Sequence, residues 1–331
     1  MKLAIDAMGG DQAPAEVIHG VLESLDILGE DSVVLVGREP VIMEHLSGRN
    51  GWQGKVEVLH ADQVIDMGDP PTDSVRKKRD SSITRLVELG ASGEVDAVIS
   101  AGNTGAYVAA SQLIMKTLPG VLRPGIAVAI PQTDGVSVVV DVGANVSCRP
   151  QHLYQYAVMA SVYYEKLFHK DNPRVGLLSV GSEERKGNQL VREAWDLCKA
   201  DPEMNFVGNV EGRDIFSGVS DVVVCEGFVG NVMLKVVEAV VGNLVGSIRE
   251  ASRREAPELA GKMVVITDDM VKGYDYSRYG GAPLLGLRKL SIKCHGSSNR
   301  KAFRHAIQVA RGLALDHLND RIVERLNKQS G

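Results

Sequence analysis

The chain has 331 residues and a formal net charge of −5, room for one large α/β unit or two lobes and no basic balance of the kind nucleic-acid binding uses. Its four cysteines, Cys148, Cys198, Cys225 and Cys294, are far apart, which argues against a disulfide framework or a paired-cysteine zinc site and fits a reducing cytoplasm. The opening run Met1 to Asp6 meets Gly9 and Gly10 too soon to leave a signal-peptide core, so a cytoplasmic protein is expected.

Lys2 to Asp6 reads as a strand, followed by a glycine turn from Met8 to Asp11 and a helix from Pro14 to about Leu28, with proline in its first turn. Ser32 to Gly37 is the next apolar strand, Glu39 to Leu46 a helix, and Lys55 to Leu59 a short strand. The order βαβαβ predicts a parallel sheet with helices on both faces. Ligands then belong at the C-terminal ends of the strands.

The basic run Arg76-Lys77-Lys78-Arg79 leads into a helix ending near Gly90. Successive helical residues point about 100° apart, so at most two of the four can face one anion. Arg76 and Lys77, nearest Gly68-Asp69-Pro70-Pro71, are the candidates, with a solvated face as the plain alternative. Next, the apolar run Val95 to Ile99 breaks at Ser100, turns through Gly102 and Gly105, and enters the helical pattern Ala106 to Ile114. Such a turn lets backbone N–H groups approach a phosphate or carboxylate, or exists only to turn tightly.

Gly125 to Pro131 and Val136 to Asp141 are strands joined at Asp134-Gly135, a hairpin signal that interrupts the βα alternation. After the loop Asp141 to Asn145, Pro150 opens a helix to about Phe168. Arg174 to Ser179 is a strand, Gly181 to Gly187 a charged loop, and a helix runs on to Lys199. Val222 to Cys225 is a strand ending in Glu226 to Asn231, where a long helix to about Arg254 begins. Its uninterrupted apolar part, from Ala239, is about half of the ~20 residues a membrane span needs, so no crossing is expected. Then come Val264-Val265-Ile266, a tyrosine-rich helix around Tyr274, and strands Gly281 to Leu287 and Leu290 to His295. The loop His295 to Asn299, a helix from Arg300 to about Leu315 and an amphipathic helix to Leu326 close the chain.

Six loops thus share one logic, each bringing glycine and small polar or charged residues to a strand end. If the strands are parallel, the loops converge on one crevice. None carries a dinucleotide or P-loop fingerprint, and no set of side chains has metal-ligand spacing. A small anion is therefore expected, with no cofactor and no metal. Cys294 and His295 are neighbours on a strand and point to opposite faces, which argues against a nucleophilic dyad and leaves Cys294 as a small buried hydrophobe.

Ile5-Asp6-Ala7-Met8-Gly9-Gly10-Asp11, Ser100-Ala101-Gly102-Asn103-Thr104-Gly105, Asp141-Val142-Gly143-Ala144-Asn145, Gly181-Ser182-Glu183-Glu184-Arg185-Lys186-Gly187 and His295-Gly296-Ser297-Ser298 resemble the bacterial acyl-acyl-carrier-protein:phosphate acyltransferases, the PlsX family. The resemblance runs from Met1 to the last helix. It implies a homodimeric three-layer α/β/α sandwich with a mostly parallel, mixed sheet, similar to the phosphate acetyltransferase and isocitrate dehydrogenase types. It also implies transfer of an acyl group from acyl-acyl-carrier protein to inorganic phosphate. The acyl-phosphate would serve a membrane glycerol-3-phosphate acyltransferase in phospholipid synthesis.

On this reading Asn103-Thr104-Gly105 with Gly9 and Gly10 capture phosphate, Lys186 stabilises charge, and Asn231 orients the thioester; the matching lysine and asparagine of the family lie in its active-site cleft. His295 is a proton relay or, equally, a loop anchor. Asp6, Asp11, Gly102, Asp141, Gly143, Asn145, Glu184, Gly227, Gly230 and Ser297 complete the expected crevice. A projecting helical segment from about 240 to 262 is expected to touch the membrane through Leu244, Val245 and Ile248, backed by Arg249, Arg253 and Arg254. Core or dimer packing is the alternative for that apolar face. Arg76 to Arg79 or Arg249 to Arg254 would steer the acidic carrier protein. Two rivals remain open, an acyl-coenzyme A-dependent phosphate acetyltransferase and a carrier-binding membrane scaffold without catalysis.

Overall fold

The computed structural model describes residues 1–273 and 276–328; Tyr274, centre of the predicted tyrosine-rich helix, lies outside them. The strands are β1 (Lys2–Asp6), β2 (Ser32–Gly37), β3 (Val56–His60), β4 (Ala97–Ser100), β5 (Gly125–Gln132) and β6 (Gly135–Val140). They continue with β7 (Val175–Leu178), β8 (Phe206–Val210), β9 (Val222–Val224), β10 (Ala282–Leu285) and β11 (Leu290–Lys293). All belong to one 11-stranded sheet in the order β3-β2-β1-β4-β11-β10-β5-β6-β9-β7-β8. The helices are α1 (Ala15–Leu22), α2 (Leu25–Leu28), α3 (Glu39–Leu46), α4 (Pro71–Lys77), α5 (Ser82–Ser92) and α6 (Thr104–Ala110). After them come α7 (Pro150–Phe168), α8 (Gln189–Ala200), α9 (Gly227–Glu255), α10 (Ala260–Gly273), α11 (Arg300–Leu315) and α12 (Leu318–Asn327).

Residues alternate across the sheet with the period of two that a strand imposes. Leu3, Ile5, Val33 and Leu35 join one buried cluster with α1, α7 and α11 residues such as Ile18, Tyr156 and Phe303. Ala4, Val34 and Val36 join the other with Ile83 and Tyr107 of α5 and α6. Both faces are covered, and strands buried on both faces read as the continuous valine and isoleucine runs seen here. The α/β/α layering follows.

Strand direction departs from the simplest expectation. β1, β2, β3, β4 and β11 are mutually parallel, but the steps β11 to β10, β10 to β5 and β5 to β6 are all antiparallel. Three reversals leave β6, β9, β7 and β8 running against the first set. The six glycine loops therefore form two groups of three at opposite carboxyl ends, not one converging set.

Several local features also differ from the sequence reading. The first helix breaks into α1 and α2 where the Ser24 hydroxyl donates to the Gly20 carbonyl at 2.6 Å, a side-chain bond that competes with helix continuation. The basic run ends α4 rather than opening a helix, and Ser81 caps α5 by accepting from the Thr84 N–H. β8 was not expected, because Gly208 and Asn209 interrupt its apolar pattern. Val264-Val265-Ile266 lie inside α10.

α9 and α10 pack as a helical hairpin, pinned where Arg249 Nε donates to Thr267 Oγ1 at 2.8 Å. The 29 residues of α9 span about 43 Å. By length and composition α9 is apolar enough to cross a membrane, so counting only its uninterrupted run understates it. Its first turn is nonetheless built into the sheet: a Cβ at Gly230 would lie 2.0 Å from the Asp141 carbonyl oxygen.

Candidate active site

The first loop group stands at the ends of β1, β4 and β11. Asp6 is fully buried and accepts from the Ser100 hydroxyl at 2.7 Å and the Met8 N–H at 3.1 Å. Burial pushes its carboxyl above the usual range. Gly9 lies so close to the next loop that a Cβ would sit 2.6 Å from the Gly102 nitrogen. The Asp11 N–H donates to the Gly296 carbonyl at 2.7 Å, and the Cys294 N–H to the Ser100 carbonyl at 2.9 Å. Gly10, at φ +113°, takes a backbone conformation that favours glycine. The three loops thus pack backbone against backbone in one cluster, the cradle.

Within it, Asn103 does not serve as expected. Its Oδ1 accepts from the Ala106 N–H at 3.0 Å, and its amide donates to the carbonyls of Asp66, Met67 and Asp69. These bonds cap α6 and fasten the preceding loop, leaving the amide no role in phosphate capture. Thr104 and Gly105 open α6 beside Pro71. Arg76 and Lys77 are exposed; the cation that folds onto the Asp69 loop is Lys78, whose Nζ donates to Asp69 Oδ2 at 2.6 Å and the Val64 carbonyl at 2.8 Å.

The second group stands at the ends of β6, β9 and β7. Asp141 is buried and accepts from the N–H groups of Ile126, Gly143, Ala144 and Asn145. Desolvation raises its carboxyl above the usual range despite these bonds. Asn145 is buried too, donating to the Pro124 carbonyl, to Asp141 Oδ2 and to the Tyr156 hydroxyl. Asp141 and Asn145 therefore shape the loop and are not ligands. Gly227 donates its N–H to the Asn145 carbonyl at 3.0 Å, and Asn231 is exposed on α9 against Gly143.

Lys186 is 54% exposed, its ammonium 3.8 Å from Glu183. Its loop follows β7, six strand positions from β4, on the order of 28 Å along the sheet at the usual spacing. Within one chain it does not meet the Asn103-Thr104 turn, so a single phosphate pocket built from both is overturned. Glu184 lines a separate polar recess with Arg185, Gln189 and Arg192 beside α8.

α9 connects the two groups. It starts in the second, and about 10 Å further along its axis it faces the first across an apolar pocket of about 400 Å³. Val128, Ala129 and Ile130 of β5 and Leu234, Val237 and Val241 of α9 line it, with His295, Ser297, Ser298, Asn299 and Glu238 as its polar members. His295 Nδ1 accepts from the Ser297 N–H at 3.2 Å and lies 2.7 Å from the Ser297 hydroxyl. The neutral imidazole thus carries its proton on Nε2.

One residue of the site escaped the sequence reading. Lys293, the last residue of β11, is 7% exposed, and its Nζ donates to the Cys294 carbonyl. Burial depresses its pKa to about 8, with Cys294, Asp6 and Asp11 opposing the shift and Lys235 adding to it. A lysine closing the run Leu290-Ser291-Ile292 was the available signal. Burial pushes the adjacent Cys294 thiol up to about 12, which makes it inert.

The sequence pattern of a family described as "Fatty acid synthesis protein" matches residues 1–321. A phosphate acyltransferase of Dictyoglomus turgidum is 41% identical, covering 99% of this chain and 98% of the relative. One of Pelotomaculum thermopropionicum is 45% identical over 94% and 91%. Among solved structures, a phosphotransacetylase of Streptococcus pyogenes superposes with a TM-score of 0.65 at 18% identity, covering 96% of this chain and 94% of that one. A 4-hydroxythreonine-4-phosphate dehydrogenase of Klebsiella pneumoniae gives 0.52 at 14% identity over 95% and 97%. The last two share the fold. The chain belongs to the phosphate acyltransferase (PlsX) family of fatty acid and phospholipid synthesis. Membership makes it an enzyme whose substrates are an acyl donor and phosphate.

Proposed function

We propose that the acyl donor is a fatty acyl-acyl-carrier protein and that the products are acyl-phosphate and free carrier protein. The pocket between β5 and α9 carries this reading: apolar walls with a few polar groups at one end suit an alkyl chain whose reacting carbonyl stops at His295 and Ser297. The neighbouring cradle of Gly9, Gly10 and Gly102 suits a small anion.

The chemistry asks little of side chains. A phosphate oxygen, anionic near pH 7, attacks the thioester carbonyl carbon, and the carbonyl electron pair moves onto oxygen. Collapse of this tetrahedral oxyanion breaks the C–S bond and releases a thiolate whose ordinary pKa of about 8.5 needs no strong acid. Alignment and charge stabilisation are what the protein supplies. Asn231 and Lys186, on loops after the adjacent parallel strands β9 and β7, stand away from His295 and Ser297 within one chain and are assigned to the reacting carbonyl from the second copy of the dimer, Asn231 orienting the thioester and Lys186 meeting negative charge. The Nε2 proton of His295 serves as a relay.

The protein acts, on this reading, as a cytoplasmic homodimer at the inner face of the membrane and passes acyl-phosphate to a membrane glycerol-3-phosphate acyltransferase. Supporting it is an uncovered apolar face on the hairpin: Val236, Val240 and Leu244 of α9 and Val265, Ile266 and Met270 of α10 are all exposed. A face of that size needs a cover, here a second copy of the chain and, at the tip, the bilayer. Exposed Arg76 and Lys77, or Arg253 and Arg254, steer the acidic carrier. Phosphate-dependent release of acyl-phosphate from acyl-carrier protein tests the reading. Equal turnover with acyl-coenzyme A, or carrier binding without product, would overturn it.

A further inference from the structure

We propose that Lys293 is the phosphate-binding cation of the site. This rests on the phosphate acyltransferase reading and adds the residue that receives the nucleophile.

Lys293 stands at the carboxyl end of β11, the strand bordering the first antiparallel step of the sheet. Strand order reverses between β1 and β4, the switch point where open α/β sheets leave a crevice for ligands, and β11 pairs with β4 beside it. The ammonium is buried, and among the described residues its hydrogen bond is to the Cys294 carbonyl. An ammonium has three donors, so two remain for an incoming group.

No ion pair of the described residues includes Lys293. Asp6 lies near, but its carboxylate is occupied by the Ser100 hydroxyl and the Met8 N–H; Asp11 is exposed at the cradle's rim. A buried cation without a bonded carboxylate is costly to keep. An anion that enters, satisfies the two donors and leaves as product accounts for keeping it. The close approach of Gly9 to Gly102 and of Gly10 to Gly296 brings backbone, not side chains, together at the ends of β1, β4 and β11. His295 and Ser297, two and four residues beyond Lys293, stand at the end of the apolar pocket. Phosphate held there lies beside the carbonyl of a chain occupying that pocket.

The test uses the purified full chain with acyl-acyl-carrier protein and inorganic phosphate varied separately. Lys293→Met should raise KM for phosphate about tenfold or more, the worth of a charge-assisted hydrogen bond, while KM for the acyl donor stays within about twofold. Lys293→Arg, which keeps the cation, should recover most of the phosphate affinity. Millimolar inorganic phosphate should raise the Tm of the wild type and not that of Lys293→Met. Should the methionine variant fail to fold, Lys293→Gln, able to keep the bond to the Cys294 carbonyl, carries the same comparison. An unchanged KM for phosphate and an unchanged phosphate-dependent Tm shift in the folded neutral variant overturn the assignment. A wild type that forms no acyl-phosphate overturns the acyl-transfer reading instead, with the Tm shift still reporting on the anion site.

Discussion

Arg174 grips Asp221 at two points, Nε to Oδ2 at 3.0 Å and Nη2 to Oδ1 at 3.1 Å, where β7 and β9 begin side by side. Lys170 adds a third bond at 2.8 Å, and the Arg174 N–H a fourth. Burial alone would raise the Asp221 carboxyl, but Arg174 and Lys170 more than reverse it and hold the pKa to about 2. A carboxyl depressed on folding stabilises above its unfolded pKa and loses that contribution as pH falls through the folded one. Asp221→Asn should therefore cost about 2 kcal/mol at pH 7. It should also flatten the acid loss of stability between about pH 4 and 2, read by urea unfolding at successive pH values.

Lys186→Ala should lower kcat with acyl-carrier protein about a hundredfold, as loss of a group stabilising developing charge does. Its ion pair with Glu183 is exposed, so the Tm should move little. Turnover near that of the wild type would remove Lys186 from the mechanism.

The hairpin tip separates two neighbouring residues. Leu244 is 57% exposed and Val245 7%, so the expectation that both touch the membrane fails for Val245, which packs inside the hairpin, while Ile248 is half-buried. Leu244→Asp should weaken flotation with anionic phospholipid vesicles and leave the Tm in place. Val245→Asp should lower the Tm by burying an unpaired charge. Flotation unchanged by Leu244→Asp in a still-dimeric protein would count against the membrane proposal.

Phosphate affinity should weaken above about pH 8, because the Lys293 ammonium, pulled down to about 8 by burial, becomes neutral there. Asp6, Asp11, Cys294 and Lys235 are the charged or titratable groups acting on it. Phosphate itself only gains negative charge over this range, so its own titration would act in the opposite sense. The measurement is KM for phosphate between pH 7 and pH 9, with Lys293→Arg expected to remove the dependence.

Ser100→Ala removes a hydroxyl that donates to the fully buried Asp6 at 2.7 Å and should cost about 1–3 kcal/mol. Chemical denaturation reads this. An equal loss in Asp6→Asn and in the double variant would place both residues in one interaction.

Much of this was legible in the sequence wherever the signal is local. Glu39–Leu46 and Pro150–Phe168 form helices at the predicted bounds, and Asp134-Gly135 makes the predicted hairpin. Strand direction was not legible, because it depends on three antiparallel steps among β11, β10, β5 and β6, segments far apart in the chain. Asn103 looked like a ligand, since capping and anion capture call for the same small polar residue at a helix start. Lys293 closes the run Leu290-Ser291-Ile292, but it takes tertiary burial to tell it from a lysine on a strand's wet face.

The pairing of β4 with β11 places Ser100 opposite Lys293, residues from the first third and the last part of the chain. During synthesis β1, β2, β3 and β4 can pair early, yet β4 remains an open edge until β11 emerges. Such an edge invites pairing with other chains, and contacts of such long range form slowly. The cradle and its buried cation thus come together in the last stage of folding, and a truncated chain lacking β11 should expose β4 and aggregate.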